Sequence, residues 1–157
     1  AYQPNSGHRA LAELESMGLL RHVITQNIDG LHHKAGSQNV TEIHGSLRDI
    51  RCVSCGRDYR APHIPEGTPP RCECGGVLKP DTVLFGESLP AQALETAWRE
   101  AGGSGVMLVI GTSAVVQPAA SLPIIAKEHG AALECALLQR QGRGQRASTV
   151  VWILRAA

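Results

Sequence analysis

Two short apolar runs, residues 22–25 and 106–110, most constrain the fold of this chain, because each ends abruptly in polar residues or glycine. Short apolar runs bounded in this way are typical of buried strands, and the second has the pattern of a parallel strand covered on both faces. Open α/β sheets bind ligands at the carboxyl ends of their strands. The residues directly after the two runs are therefore candidates for ligand contacts: Gln26, Asn27 and Asp29 after the first, and Gly111, Thr112 and Ser113 after the second.

Helical patterns alternate with these strands. They predict amphipathic helices over about residues 5–17, 90–101 and 118–129, with Pro123 perturbing the third, and a short helix over 31–35. Asn27 and Asp29 could also serve only to cap that short helix. A chain of 157 residues, 43% of them apolar, can build one domain, or a core with a small satellite. We expect an α/β fold: a partial Rossmann-like parallel sheet with helices on its faces.

Four of the five cysteines lie in two closely spaced pairs, sixteen residues apart: Cys52 with Cys55, and Cys72 with Cys74. The intervening segment is rich in proline, glycine and charged residues and has little apolar surface to bury. A tetrahedral zinc ion bound by four thiolates would supply folding free energy directly and would be structural. Two disulfides, or unrelated thiols, are the alternative. We predict a zinc module at 47–77, inserted between residues 1–46 and 78–157 of the main domain, although its second pair is one residue shorter than the usual C-x-x-C.

Composition argues against several classes of function. No apolar run approaches the length of a membrane span and no secretory signal is visible. With zinc rather than disulfides expected, we predict a cytoplasmic location. The net charge is only +1, and four arginines in a tail that also contains apolar residues argue against a nucleic-acid-binding arm. Those arginines follow the last acidic residue, Glu134: Arg140, Arg143, Arg146 and Arg155.

The most specific pattern surrounds the first strand. It reads TQNIDGLH from Thr25, and His44 follows twelve residues after His32 in the tripeptide HGS. This pattern resembles the central signature of the sirtuins, the NAD-dependent protein lysine deacylases. The later sequence GTS at 111–113, followed by VVQPAA at 115–120, is similar to the same family.

The resemblance implies an activity. In sirtuins the acyl oxygen of an acylated lysine attacks the ribose carbon of NAD that bears nicotinamide, and nicotinamide leaves. A histidine then takes a proton from a ribose hydroxyl, so that the acyl group can pass to the sugar. His44 matches this catalytic base, although on composition alone it is only one of seven histidines. The zinc in this family takes no part in the reaction.

The other matching residues fall into three sets. The implied NAD contacts are Gln26, Asn27, Ile28 and Asp29, with Gly111, Thr112 and Ser113. The implied contacts to an acylated lysine peptide or protein are Val83, Phe85, Gly86 and Glu87, in a run that also reads as an ordinary extended edge strand. The implied zinc ligands are Cys52, Cys55, Cys72 and Cys74.

The resemblance covers about residues 3–133. Neither GAG-x-S nor G-x-P-x-F-R occurs anywhere in the sequence, so we expect a fragment without the family's glycine-rich phosphate loop, weakly active or inactive by itself. The tail beyond Glu134 departs from the family pattern, although residues 149–154 have the composition of a last strand. Two other functions stay open: a catalytically inactive peptide-binding module and a zinc-ribbon interaction module.

Overall fold

The structure is a computed structural model that describes residues 2–60, 63–136 and 150–154. Its helices are α1 (Ser6–Ser16), α2 (Leu31–Ala35), α3 (Ala91–Gly102) and α4 (Leu122–Glu128). Its strands are β1 (Leu20–Thr25), β2 (Val40–Glu42), β3 (Gly45–Cys52), β4 (Asp58–Arg60), β5 (Leu78–Thr82), β6 (Val106–Ile110), β7 (Ala132–Ala136) and β8 (Val150–Leu154).

The larger sheet has five strands in the order β2-β1-β8-β6-β7. The pairs β1/β2 and β6/β7 are parallel, and β8 runs antiparallel between β1 and β6. The expected α/β Rossmann-like fold is confirmed, with one strand reversed. β8 also confirms the last strand expected within 149–154, whereas the four arginines of the tail lie outside the described residues.

The helices pack on this sheet through small and branched apolar side chains. Met107 of β6 and Leu122 of α4 are fully buried, and Ala97 and Ala101 let α3 approach closely. These four side chains belong to the largest core cluster, which comprises Ile24, Ile43, Ala97, Ala101, Met107, Val109, Ala119, Leu122, Ala126 and Ala131. With only 3% aromatic residues, the chain builds its core from aliphatic side chains, as its composition requires.

The helix boundaries follow their capping residues closely. The Asn5 side chain accepts a hydrogen bond from the His8 amide at 3.1 Å and caps α1. In place of one helix over 118–129, a 3-10 turn (Ala119–Ser121) precedes α4, and Pro123 occupies the first turn of α4, where its missing N–H costs nothing. No helix in the described part of the chain has the length and apolar character needed to cross a membrane.

The smaller sheet is antiparallel, in the order β4-β3-β5. Its core is slight: Cys52, Cys72 and Leu78 are buried, and Ile50, Tyr59 and Ile64 pack against them. This sheet extends from Gly45 to Thr82, and the boundaries 47–77 given above for a separate module stay a prediction.

Residues 83–87 do not continue the strand, so the expectation of an extended edge there is wrong. β5 ends at Thr82, and the Glu87 amide donates to the Leu84 carbonyl at 2.9 Å, which closes a turn. The Glu87 carboxylate accepts from the Leu84 amide at 3.0 Å and from Lys79 Nζ at 2.9 Å. These local polar contacts bend the chain, and Phe85 is fully exposed on the turn.

Candidate functional site

The two polar strand ends lie at the same edge of the larger sheet. Thr25, the last residue of β1, and Ile110, the last residue of β6, both pair with Val150 of β8. Since neighbouring strands are about 4.8 Å apart, the two ends are separated by roughly 10 Å. The segments that begin at Gln26 and Gly111 therefore leave the sheet side by side, on either side of β8.

The segment after β1 is shaped by its own short polar side chains. Thr25 Oγ1 accepts from the Asn27 amide at 3.0 Å, and Asp29 Oδ1 accepts from the Leu31 amide at 3.0 Å. The N-cap of α2 is Gly30, which has no side chain to cap with, so Asp29 supports the turn into the helix from the residue before the cap. A carboxylate has about four acceptor positions on two oxygens, and Asp29 is exposed, so this local contact and a ligand contact are compatible.

His44 lies between the segment after β1 and the segment after β5. Its Nδ1 is 3.2 Å from the Gln26 carbonyl oxygen, and its own carbonyl accepts from the Val83 amide at 3.0 Å. A carbonyl can only accept, so in the neutral ring Nδ1 carries the proton and Nε2 has the lone pair. This half-buried imidazole is in the tautomer that a proton acceptor at Nε2 needs.

Gly45 makes this placement of His44 possible. Its φ is +75°, and a Cβ on it would lie 1.9 Å from the Asp81 carbonyl oxygen. No other residue allows β3 to begin this close to β5. Any side chain at position 45 would therefore move His44 away from Gln26 or from Val83.

Arg48 supports the turn at Gly30, and nothing in the sequence singled it out. A Cβ on Gly30, whose φ is +68°, would lie 2.8 Å from the Arg48 side chain. Arg48 donates to Glu42 Oε2 at 2.8 Å and to Ser46 Oγ at 3.2 Å. The guanidinium therefore ties the signature turn to the segment that carries His44.

The segment after β6 has a strained backbone. Thr112 Oγ1 accepts from the Ala114 amide at 2.9 Å, and Ala114 has a φ of +51°. A residue with a Cβ in the left-handed region is uncommon and is enriched where a loop must present groups to a ligand. The Thr112 hydroxyl supports the loop, and Ser113 is exposed beside it.

The four paired cysteines converge on one point of the smaller sheet. Their Sγ atoms all lie within 4.8 Å of one another, with 3.5 Å between Cys52 and Cys74 and 3.6 Å between Cys55 and Cys72. Zinc–sulfur bonds of 2.3 Å in a tetrahedron place sulfurs about 3.8 Å apart, so the cluster fits a zinc ion. All five cysteines are free, which sets aside the disulfide alternative.

The shortened second pair still forms a tight turn. The Gly75 amide donates to the Cys72 carbonyl at 2.8 Å, as the Gly56 amide donates to the Cys52 carbonyl at 3.0 Å. Both glycines have positive φ, as expected for the two turns. The C-x-C spacing therefore does not prevent a four-sulfur cluster.

Tyr59 is a second residue that sequence reasoning missed. Its hydroxyl donates to Cys72 Sγ at 3.1 Å. This hydrogen bond is the main cause that lowers the pKa of Cys72 to about 6 and raises the pKa of Tyr59, so the thiolate is favoured and the phenol keeps its proton. A tyrosine four residues after a cysteine pair was the available signal.

A sequence model of the Sir2 family matches residues 1–118. The chain belongs to the Sir2 family. Among its relatives, NAD-dependent protein deacylase 1 of Archaeoglobus fulgidus is 52% identical over 133 residues, which cover 83% of this chain and 54% of the relative. This Sir2-family chain thus spans about half the length of the curated relatives it matches.

Solved Sir2 structures have the same fold. A Sir2 homologue in complex with NAD is 51% identical, with a TM-score of 0.79 over 85% of this chain and 53% of the homologue. A Sir2 protein bound to an acetylated peptide is 39% identical, with a TM-score of 0.82 over 87% of this chain and 60% of its own. The Sir2 fold of this chain therefore agrees with solved members of the family.

Proposed function

We propose that this chain acts in the NAD-dependent removal of acyl groups from lysine side chains of peptides or proteins. The observation that carries the proposal is the placement of His44. Its Nδ1 is 3.2 Å from the Gln26 carbonyl, and its Nε2 is left as the acceptor, next to the edge where β1 and β6 end together. A Sir2 relative named as an NAD-dependent deacylase supports this reading.

The residues at the sheet edge fit NAD by their donors and acceptors. The side-chain amides of Gln26 and Asn27 can exchange hydrogen bonds with the carboxamide of nicotinamide. The Asp29 carboxylate and the hydroxyls of Thr112 and Ser113 can form hydrogen bonds with ribose hydroxyls. Bound NAD would supply the ribose carbon that the acyl oxygen attacks as nicotinamide leaves, and the ribose hydroxyl to which the acyl group passes. We assign the contacts to Gln26, Asn27, Ile28 and Asp29 after β1 and to Gly111, Thr112 and Ser113 after β6.

His44 is the proposed catalytic base. Nε2 accepts a proton from a substrate hydroxyl, while the Gln26 carbonyl holds Nδ1–H and stabilises the charged ring. The bond from the Val83 amide to the His44 carbonyl ties the base to the segment proposed to hold the peptide. Proton transfer and substrate position are therefore set by the same short stretch of backbone.

The turn after β5 is the proposed contact for the acylated peptide. Phe85 is fully exposed there, and Val83 is half-buried beside His44. Gly86 and Glu87 would contribute backbone contacts, since the Glu87 carboxylate already binds Lys79 and the Leu84 amide. The Sir2 protein solved with an acetylated peptide supports a peptide substrate.

The cysteine cluster is the proposed zinc site, with Cys52, Cys55, Cys72 and Cys74 as ligands. Four protein ligands leave no open coordination position, so its role is to hold the smaller sheet. Free thiols and a zinc site belong to a reducing compartment, which supports the proposed cytoplasmic location.

Titration of the ¹⁵N-labelled, zinc-loaded chain with NAD tests cofactor binding. Amide shifts should change at both strand ends, residues 26–29 and 111–113, even if affinity is low. Amide shifts that stay unchanged up to millimolar NAD contradict the proposal.

Deacylation of an acetyl-lysine peptide, followed by mass spectrometry, tests the base. His44→Ala should lower turnover by about 10²–10⁴-fold, and His63→Ala, at an exposed histidine, should leave it unchanged. Equal turnover in the two variants contradicts the role of His44. Binding of the acetyl-lysine peptide without NAD binding or turnover would favour the catalytically inactive peptide-binding module instead.

A further inference from the structure

Tyr59 reaches the cysteine cluster from the edge of the smaller sheet. It lies on β4, where it pairs with Ile50 of β3, and its ring packs in the cluster around Cys52, Cys72 and Leu78. From this position the hydroxyl donates to Cys72 Sγ at 3.1 Å. This contact joins residues thirteen positions apart, one from each half of the module.

Cys72 is, with Cys52, one of the two buried members of the cluster. It opens the shortened C-x-C pair and is 5% exposed, whereas Cys74 is exposed to solvent. Water can donate hydrogen bonds to an exposed thiolate but not to a buried one. Four thiolates around a divalent cation keep a net charge of −2, so a buried sulfur needs a donor from the protein.

A second contact holds the same two segments together. Arg57 forms an ion pair with Glu73, the residue between Cys72 and Cys74. The segment 57–59 therefore contacts the Cys72–Cys74 turn twice: Arg57 at the carboxylate of Glu73, and Tyr59 at the sulfur of Cys72. The ion pair is exposed and is expected to be weak, which leaves the hydroxyl as the stronger of the two.

We propose that Tyr59 is an outer-shell residue of the zinc site, whose hydroxyl donates to the Cys72 thiolate and slows the release of the metal. The inference rests on the proposal that the four cysteines hold zinc. It is independent of deacylase activity.

Zinc competition with a chromogenic chelator tests this role on the full zinc-loaded chain. Tyr59→Phe keeps the ring and its packing and removes only the hydroxyl. Zinc affinity should fall by about 10–100-fold, with a matching rise in the release rate. Tyr2→Phe is the matched control, because Tyr2 is 87% exposed and its variant should bind zinc as the unmodified chain does.

The outcomes separate the two proposals. Failure of the unmodified chain to bind one zinc ion overturns both the zinc site and the inference. Zinc affinity of Tyr59→Phe equal to that of Tyr2→Phe overturns the inference alone. Cobalt substitution adds a spectroscopic readout, since loss of the hydroxyl should shift the sulfur-to-cobalt charge-transfer bands while the tetrahedral d–d bands persist.

A measurement on the unmodified chain covers the case in which Tyr59→Phe does not fold. The hydroxyl proton of Tyr59 should exchange slowly with water in the zinc-loaded protein, and the hydroxyl proton of Tyr2 in the same sample provides the reference. Exchange at the Tyr2 rate would mean that Tyr59 does not donate to sulfur and would overturn the inference.

Discussion

The two sheets of this Sir2-family chain differ in what stabilises each of them. The larger sheet and its helices share a cluster of ten buried apolar residues. The core of the smaller sheet has three buried residues, and two of them are cysteines of the proposed zinc site. Burial can stabilise the first region, whereas the second needs metal–thiolate bonds to fold.

The ion pairs of the smaller sheet stabilise it too little to replace an apolar core. Arg51 pairs with Asp58 and Asp81, and Arg60 pairs with Asp49, across neighbouring strands. All three pairs include a well-exposed arginine, and such pairs each contribute about 0–1 kcal/mol. They favour the correct strand register more than they stabilise the fold.

Removal of zinc should have the largest effect and should act on one region. Structural zinc contributes about 10–16 kcal/mol in apparent binding free energy in small zinc domains, so chelation should abolish amide-exchange protection in residues 45–82. Protection in β1 and β6 should persist. Cys72→Ser should reproduce the loss, and Cys135→Ser, at an exposed cysteine outside the cluster, should not. Simultaneous loss of protection in both sheets would contradict the comparison.

A cavity in the large core should have the reverse effect. Leu122 is fully buried in α4, and Leu122→Ala should lower the free energy of unfolding of the larger sheet by about 2–5 kcal/mol. Ile124→Ala in the same helix, at a side chain 55% exposed, is the control and should cost much less. Urea unfolding measures both, and zinc retention in Leu122→Ala at low urea checks that the smaller sheet is unaffected.

Acid should weaken the larger region through His32. Burial, and secondarily the charge of His8, lower the pKa of His32 to about 4. The unfolded chain binds this proton near pH 6.5 and the folded chain only near pH 4, so stability falls as pH drops through that window, by about 3 kcal/mol at most. His32→Gln should flatten the dependence of the unfolding free energy on pH, and His63→Gln should not.

The smallest effect is expected from the ion pairs of the smaller sheet. Arg51→Met removes two pairs at an arginine 48% exposed, and should lower zinc-loaded stability by no more than about 1 kcal/mol. Thermal unfolding of the zinc-loaded chain measures the change. A loss comparable to that of Cys72→Ser would show that ion pairs, rather than coordination, hold this sheet.

Local sequence patterns predicted those parts of the fold that depend on neighbouring residues. The ends of β1 and β6 follow from the two apolar runs, and α1 and α3 follow from the amphipathic helical patterns. The β-propensity of the Val-Leu-Phe run mispredicted the turn at 83–87, where the Leu84 amide donates to the Glu87 carboxylate and Gly86 has a φ of +89°.

Contacts between distant residues were not predictable in the same way. The direction of β8 depends on which strands it meets, since an apolar run pairs in either sense. The contact of Arg48 with the turn at Gly30 joins residues 18 positions apart, and that of Tyr59 with Cys72 joins residues 13 positions apart, so neither follows from the local sequence. The candidate base was found through a family pattern, and its tautomer required the position of the Gln26 carbonyl.

The central position of β8 has a consequence for synthesis on the ribosome. Among the described strands, β1 and β2 pair with each other, as do β6 and β7, and the backbone hydrogen bonds that link these two pairs run through β8. Residues 150–154 leave the exit tunnel after all the strands they join. Two half-sheets with open edges should therefore wait on the nascent chain until β8 emerges, and contact with chaperones should be greatest in that interval.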